Sequence, residues 1–201
     1  MGNLDAIGLP ELKSISKRWG NFVGVDDFNL TISDEEFLVL LGPSGCGKTT
    51  LLNAIAGFHS INGGSIHLDG EMLCGPGKPK ASPGSDRIVV FQNGALFPWK
   101  NVIDNVTFGP VMQGKLSAAE AKDKARSMMA DAGLSGTENN FPGELSSGVR
   151  RRVEIVRALM NDPAVLLLDE PYRALDSLTK SVMHESLLDI YYKNKITIFF
   201  I

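Results

Sequence analysis

The spacing of apolar positions changes several times along the chain, and each change predicts an element. Phe28-Asn29-Leu30-Thr31-Ile32 alternates apolar and polar, the period-two pattern of a half-buried strand, whereas Phe37-Leu38-Val39-Leu40-Leu41 is apolar throughout and predicts a central strand covered on both faces. The second run passes directly into Gly42-Pro43-Ser44-Gly45-Cys46-Gly47-Lys48-Thr49-Thr50, after which Leu51–Ala56 suits a helix closed by Gly57. A short strand around Ile66 and Leu68 ends at Asp69-Gly70, the Gly- and Pro-rich stretch 75–85 reads as an exposed loop, and Arg87-Ile88-Val89-Val90-Phe91-Gln92 is a further strand with a polar end.

From Ser117 the period becomes helical. Ser117 and Glu120 form a capping box, Ala121, Ala125, Met128, Met129 and Ala132 share one helical face, and Gly133 closes the segment. A second helix starts near Ser146-Ser147, carries Val149, Val153, Val156 and Met160 on one stripe, and stops at Asp162-Pro163. Ala164–Leu168 is a buried strand ending in Asp169-Glu170, a helix is predicted from about Ser177 to Tyr192, and Ile196–Ile201 is a last apolar strand. Buried strands alternating with helices imply an α/β fold around a mainly parallel sheet.

With 201 residues the chain supports one sizeable core and not two. We expect a single domain over 1–201 with a helical subdomain inserted at about 97–150. Twenty basic residues against 23 acidic ones, a net charge of −3, provide no global field for nucleic acid or anionic lipid, so a polyanion must be bound locally. Cys46 and Cys74 form no CxxC pair and His59, His67 and His184 are scattered, which argues against a disulfide framework or a zinc site and fits a reducing setting. No apolar run approaches the ~20 residues that cross a bilayer.

The stretch from Gly42 to Thr49 matches G-x-x-x-x-G-K-[ST], in which glycines let backbone N–H groups curl around phosphate oxygens at a helix N-terminus. Lys48 would reach the β- and γ-phosphates, and the hydroxyl of Thr49 would ligate Mg²⁺. Asp169, at the end of its strand, can hold that magnesium through water, and Glu170 can orient or deprotonate an attacking water. These features describe a magnesium-dependent NTPase. Ser146-Ser147-Gly148 at the start of a helix is a further anion site, although Ser146 reads equally well as a plain N-cap. Arg150, Arg151 and Arg152 in a row read as a solvated helix face, with phosphate contact the lesser alternative.

Glu144-Leu145-Ser146-Ser147-Gly148 resembles the Leu-Ser-Gly-Gly signature of ABC-type ATPases, and it precedes the Leu166–Glu170 strand as it does in that family. The resemblance covers nearly the whole chain, with Walker A at Gly42–Thr49, a Q-loop at Phe91-Gln92, Walker B at Val165–Glu170 and a D-loop at Ala174-Leu175-Asp176. It implies a P-loop NTPase fold with N-terminal antiparallel strands, a catalytic and magnesium-ligating role for Gln92, adenine stacking on Trp19, and nucleotide contact by Asp176. It also implies ATP and Mg²⁺ as ligands and an ATP-dependent homodimer, in which the signature of one subunit covers the γ-phosphate held by the other. The implied partners are a transmembrane permease and, indirectly, an extracytoplasmic substrate-binding protein, with the subunit peripheral on the cytoplasmic face of the inner membrane and no role for nucleic acid. Leu40–Lys48 and Ala95–Val102 look most like the importers of nitrate, sulfonate and taurine type. Pro98-Trp99 falls where the family docks its permease, with plain packing of Phe97 and Trp99 as an equal alternative.

Three departures from the family stand out. Phe199-Phe200-Ile201 is the strand after which the family places a Thr-His-Asp run, and none of the three histidines follows a terminal strand, so the expectation is either part of a longer subunit or a short form with impaired hydrolysis. Ser147 stands where the signature has glycine, and Arg173 takes a small-residue position beside the D-loop. Together these raise an alternative: a nucleotide-gated dimerisation module with ATP binding but weak or absent turnover.

Overall fold

Strands of two kinds, paired antiparallel in one sheet and parallel in another, frame the phosphate-loop helix. The computed structural model describes residues 10–173 and 177–201. In chain order it contains β1 (Glu11–Trp19), β2 (Phe22–Thr31), β3 (Phe37–Val39), α1 (Lys48–Ile55), β4 (Gly63–Leu68), β5 (Glu71–Cys74), β6 (Arg87–Val90), α2 (Val102–Met112), α3 (Ala118–Asp131), α4 (Ser147–Leu159), β7 (Val165–Leu168), α5 (Ser177–Asn194) and β8 (Thr197–Phe200). These divide into two compact units: the described residues through Val89 with Ala164–Asp169 and Ile196–Ile201, and Val90–Pro163 with Glu170–Lys195.

In the first unit one sheet has the order β2-β1-β4-β5, with each neighbouring pair antiparallel. β1 left little trace in the apolar pattern because it is irregular: its pairing with β2 shifts register after Leu12, and Ser14 sits at φ 49°. Such bulges break the simple alternation. Asp69 (φ 52°) and Gly70 (φ 78°) join β4 to β5 with two successive left-handed residues, the geometry a tight hairpin requires.

The second sheet runs β3-β8-β7-β6, and β8 lies parallel to both β3 and β7. All of β7 is buried, as its unbroken apolar run predicts. β3 is not the central, doubly covered strand that its apolar run predicts; it lies at the sheet edge. Leu38 and Leu40 pack on the core while Val39 and Leu41 are exposed, the alternation that a pleated strand imposes whatever its composition. On α1, Leu51, Leu52, Ala54 and Ile55 are buried in the same core.

The second unit is built around helices whose shared core includes Val102, Val106, Ala121, Ala125, Met129, Val153 and Met160. The Ser117–Glu120 capping box is formed, with both reciprocal bonds present. α2 is the helix that periodicity missed, since Pro110 lies inside it and proline argues against helix interiors. Its start is nevertheless signalled by Asn101, whose side chain accepts from the Asp104 N–H at 2.9 Å. Buried Asn105 folds the preceding loop onto α2 by bonding both the N–H and the carbonyl of Phe97.

Candidate functional site

The loop ahead of α1 is shaped by glycine. Gly45 (φ 81°) and Gly47 (φ 99°) take left-handed conformations, and a Cβ on Gly47 would come within 2.2 Å of the Gly24 carbonyl oxygen. The residue at 47 therefore has to be glycine for the loop to lie this close to β2. α1 begins without a side-chain cap and without an acidic residue in its first turn, so its leading N–H groups and the positive end of its dipole suit an anion. Lys48 Nζ donates to the carbonyls of Gly42 at 2.7 Å and Pro43 at 2.9 Å and lies 3.7 Å from Cys46 Sγ, which curls the side chain back into the loop. Pro43 and Ser44 are exposed along the same turn, and Thr50 is half-buried in the first turn of α1.

Thr49 Oγ1 donates to Asp169 Oδ1 at 3.3 Å, joining positions 120 residues apart. The carboxylate is buried, so the pair presents two hard oxygens, the donor type magnesium prefers. Gly42–Thr49 and Asp169 belong to the same compact unit, and their donor set fits a magnesium-bound triphosphate. Trp19 adjoins this loop through β2: a Cβ on Gly24 would meet its ring at 2.5 Å. The ring also meets His59 edge-on, with centroids 6.0 Å apart, and has Lys17 Nζ 5.1 Å from its centroid.

In the second unit, Phe91-Gln92 is gripped from α4. Arg151 donates to the carbonyls of Phe91 at 2.6 Å and Gln92 at 2.7 Å and pairs with Glu154 Oε2 at 2.7 Å. The other carboxylate oxygen of Glu154 accepts from the Ala95 N–H at 3.0 Å. Burial pushes the Glu154 carboxyl up from its ordinary value, opposed by Arg151, the Ala95 N–H, Arg157 and Arg150. A cavity of about 210 Å³ lies among Gln92, Gly94, Ser147, Arg151 and Glu154.

The arginine row is therefore no solvated face. Arg151 is buried, Arg150 bonds the carbonyls of Pro142 and Leu145, and Arg152 bonds those of Ala132 and Gly133. Three consecutive helical residues project in different directions, so a run of charge along the chain is not a patch in space. Ser146 caps α4, its Oγ accepting from the Val149 N–H at 3.3 Å, and Ser147 and Gly148 open the helix.

Glu170, at φ 40°, follows Asp169 in the turn that leaves β7, and Arg173 Nη1 lies 3.1 Å from its Oε2. Asp176, with the rest of the D-loop, lies outside the described residues. Phe97 is a packing residue, its ring 4.9 Å from that of Phe108, while Trp99 is 71% exposed. Sequence reasoning missed Gly24, Glu154 and the roles of Arg151 and Arg173. The one available signal was a glutamate three residues after an arginine on a predicted helix, a spacing that pairs.

Residues 25–173 match the profile of the ABC transporter family. Over 183 residues the chain is 44% identical to an uncharacterized ABC transporter ATP-binding protein of Methanocaldococcus jannaschii, an alignment covering 90% of this chain and 66% of that one. It is 46% identical over 173 residues to the taurine import ATP-binding protein TauB of Escherichia coli K12, covering 86% and 65% respectively. The chain thus spans about two thirds of the length of these curated relatives. A dimeric ATP-binding cassette in a post-hydrolysis state, bound to ADP and Pi, matches it with a TM-score of 0.79 at 28% identity, over 96% of this chain and 87% of the other. The ADP form of an ATP-binding cassette of an ABC transporter matches with a TM-score of 0.81 at 23% identity, over 96% and 80%, a likeness of fold. The α/β P-loop fold expected from the motifs is the fold of these cassettes, and a profile match across most of the sequence makes the chain a member of the ABC transporter family.

Proposed function

We propose that the chain is the ATP-binding and ATP-hydrolysing subunit of an ABC importer for an anion of the taurine, sulfonate or nitrate kind. The observation that carries this reading is the Thr49–Asp169 pair at 3.3 Å, in the same unit as a glycine loop whose helix has no side-chain cap. In this reading the backbone of Gly42–Thr50 and the Lys48 ammonium bind the phosphates, and Thr49, Asp169 and Gln92 hold the metal. Bound magnesium would offset the charge of the β- and γ-phosphates. Glu170 orients or deprotonates the water, Trp19 stacks on adenine, and Ser146, Ser147, Gly148 and Asp176 serve the nucleotide of a second copy.

ATP would therefore join two copies, since a ligand shared across an interface stabilises the joined form by mass action. Exposed Trp99, in the helical region 97–150, faces a permease, and a substrate-binding protein acts through that permease. The subunit sits peripherally at the cytoplasmic face of the membrane; among the described residues no helix is long and apolar enough to cross one. The name of the Escherichia coli relative supports import, and taurine import in particular.

A second reading, a nucleotide-gated dimerisation module with weak hydrolysis, is favoured by Arg173 on Glu170 and by Ser147 in the signature. Lys48→Ala tests what both readings share. Removing a charge-assisted phosphate contact is expected to weaken fluorescent-nucleotide binding about 10- to 100-fold, and unchanged affinity would rule out the site. Robust hydrolysis alongside a co-purifying permease would then decide for the first reading over the second.

A further inference from the structure

The turn after Glu170 folds back on itself. The Arg173 N–H bonds the Glu170 carbonyl at 3.1 Å, which brings the two side chains together, and Nη1 of Arg173 donates to Glu170 Oε2 at 3.1 Å. The Gln92 amide is oriented by its partners: with its oxygen toward Arg173, the arrangement that satisfies both groups, it accepts from Nη1 at 3.0 Å and from Nε at 3.3 Å. One guanidinium thus holds two oxygens from distant parts of the sequence, and all three residues lie in the same compact unit.

We infer that Arg173 is a brake: a positioning residue whose guanidinium ties up the Glu170 and Gln92 oxygens and has to be displaced before ATP is hydrolysed. The inference rests on the roles proposed above for those two residues. Its sign follows from donor chemistry. A guanidinium offers only donors and stays charged, so it cannot relay a proton or ligate a metal; it can only compete for the oxygens that a water and a magnesium ion need. The side chains of Arg173 and Glu170 are 64% and 30% exposed, so the contact is wet and the brake slows turnover without blocking it. Lysine cannot replace it fully, because a point charge lacks the fork that spans both oxygens.

The test uses the whole chain with Arg173→Ala and Arg173→Lys, reading single-turnover hydrolysis, the Mg²⁺ concentration for half-maximal rate, and nucleotide affinity without metal. Arg173→Ala is expected to speed hydrolysis about two- to fivefold, the range an exposed ion pair supplies, and to lower the Mg²⁺ requirement while metal-free affinity stays unchanged. Arg173→Lys falls between. A merely structural arginine would not shift the Mg²⁺ requirement. Hydrolysis equal to or slower than wild type, with affinity intact, overturns the brake, as does a gain that persists when Glu170→Gln is added. A wild-type chain indifferent to Lys48→Ala instead overturns the nucleotide reading beneath it.

Discussion

The phosphate loop and the cluster around Gln92 are built in opposite ways. The loop is backbone work: its path depends on left-handed glycines, and its lysine bonds carbonyls only five and six residues away. The Gln92 cluster is side-chain work across distance, with Arg151 reaching carbonyls 60 and 59 residues away and Glu154 reaching an N–H at 59. A site made of local backbone geometry announces itself in a short motif. One made by satisfying buried charge leaves only scattered polar residues whose meaning depends on the fold.

That contrast can be broken most forcefully at Arg151. Its side chain and that of Glu154 are 9% and 6% exposed, so Arg151→Met leaves a buried carboxylate without its closest cation and should cost about 3–5 kcal/mol. Arg151→Met with Glu154→Leu should recover much of this in urea unfolding; a single variant as stable as the double would show that Gln92 is not held this way. Gly47→Ala attacks the other side. Its Cβ would lie 2.2 Å from the Gly24 oxygen at φ 99°, a strain of about 1–3 kcal/mol, and it should weaken nucleotide binding together with stability. If calorimetry finds normal binding, the path of the loop does not depend on glycine.

The smallest expected effect is a pH drift. Because the Glu154 carboxyl is raised in the fold, chiefly by burial, the native state takes up its proton more readily than the unfolded chain. Its contribution to stability is complete below the ordinary value of 4.5 and is lost as pH rises through the folded value. Glu154→Gln should flatten the unfolding midpoint as pH rises from that ordinary value through the raised one. An identical pH profile for the two proteins would contradict the assignment.

Much of this architecture was legible from short-range signals. The phosphate loop, the Ser117–Glu120 capping box and the all-apolar β7 appear where pattern and motif put them. α2 was not, because Pro110 masks a helix whose cap, Asn101, lies outside the apolar pattern. β3 was misplaced because its composition does not reveal how many layers cover it, and the arginine row because adjacency in sequence is not adjacency on a helix. The Thr49–Asp169 pair lies between these extremes: each residue was picked from its own motif, and only the fold brings their oxygens within 3.3 Å.

Gly24 lies between two neighbours, the indole of Trp19 over its α-carbon and the turn at Gly47 against its carbonyl. A side chain at position 24 would push on the aromatic ring, and one at position 47 would push on the carbonyl of Gly24. The spacing between the ring and the loop turn is thus set by one peptide unit of β2.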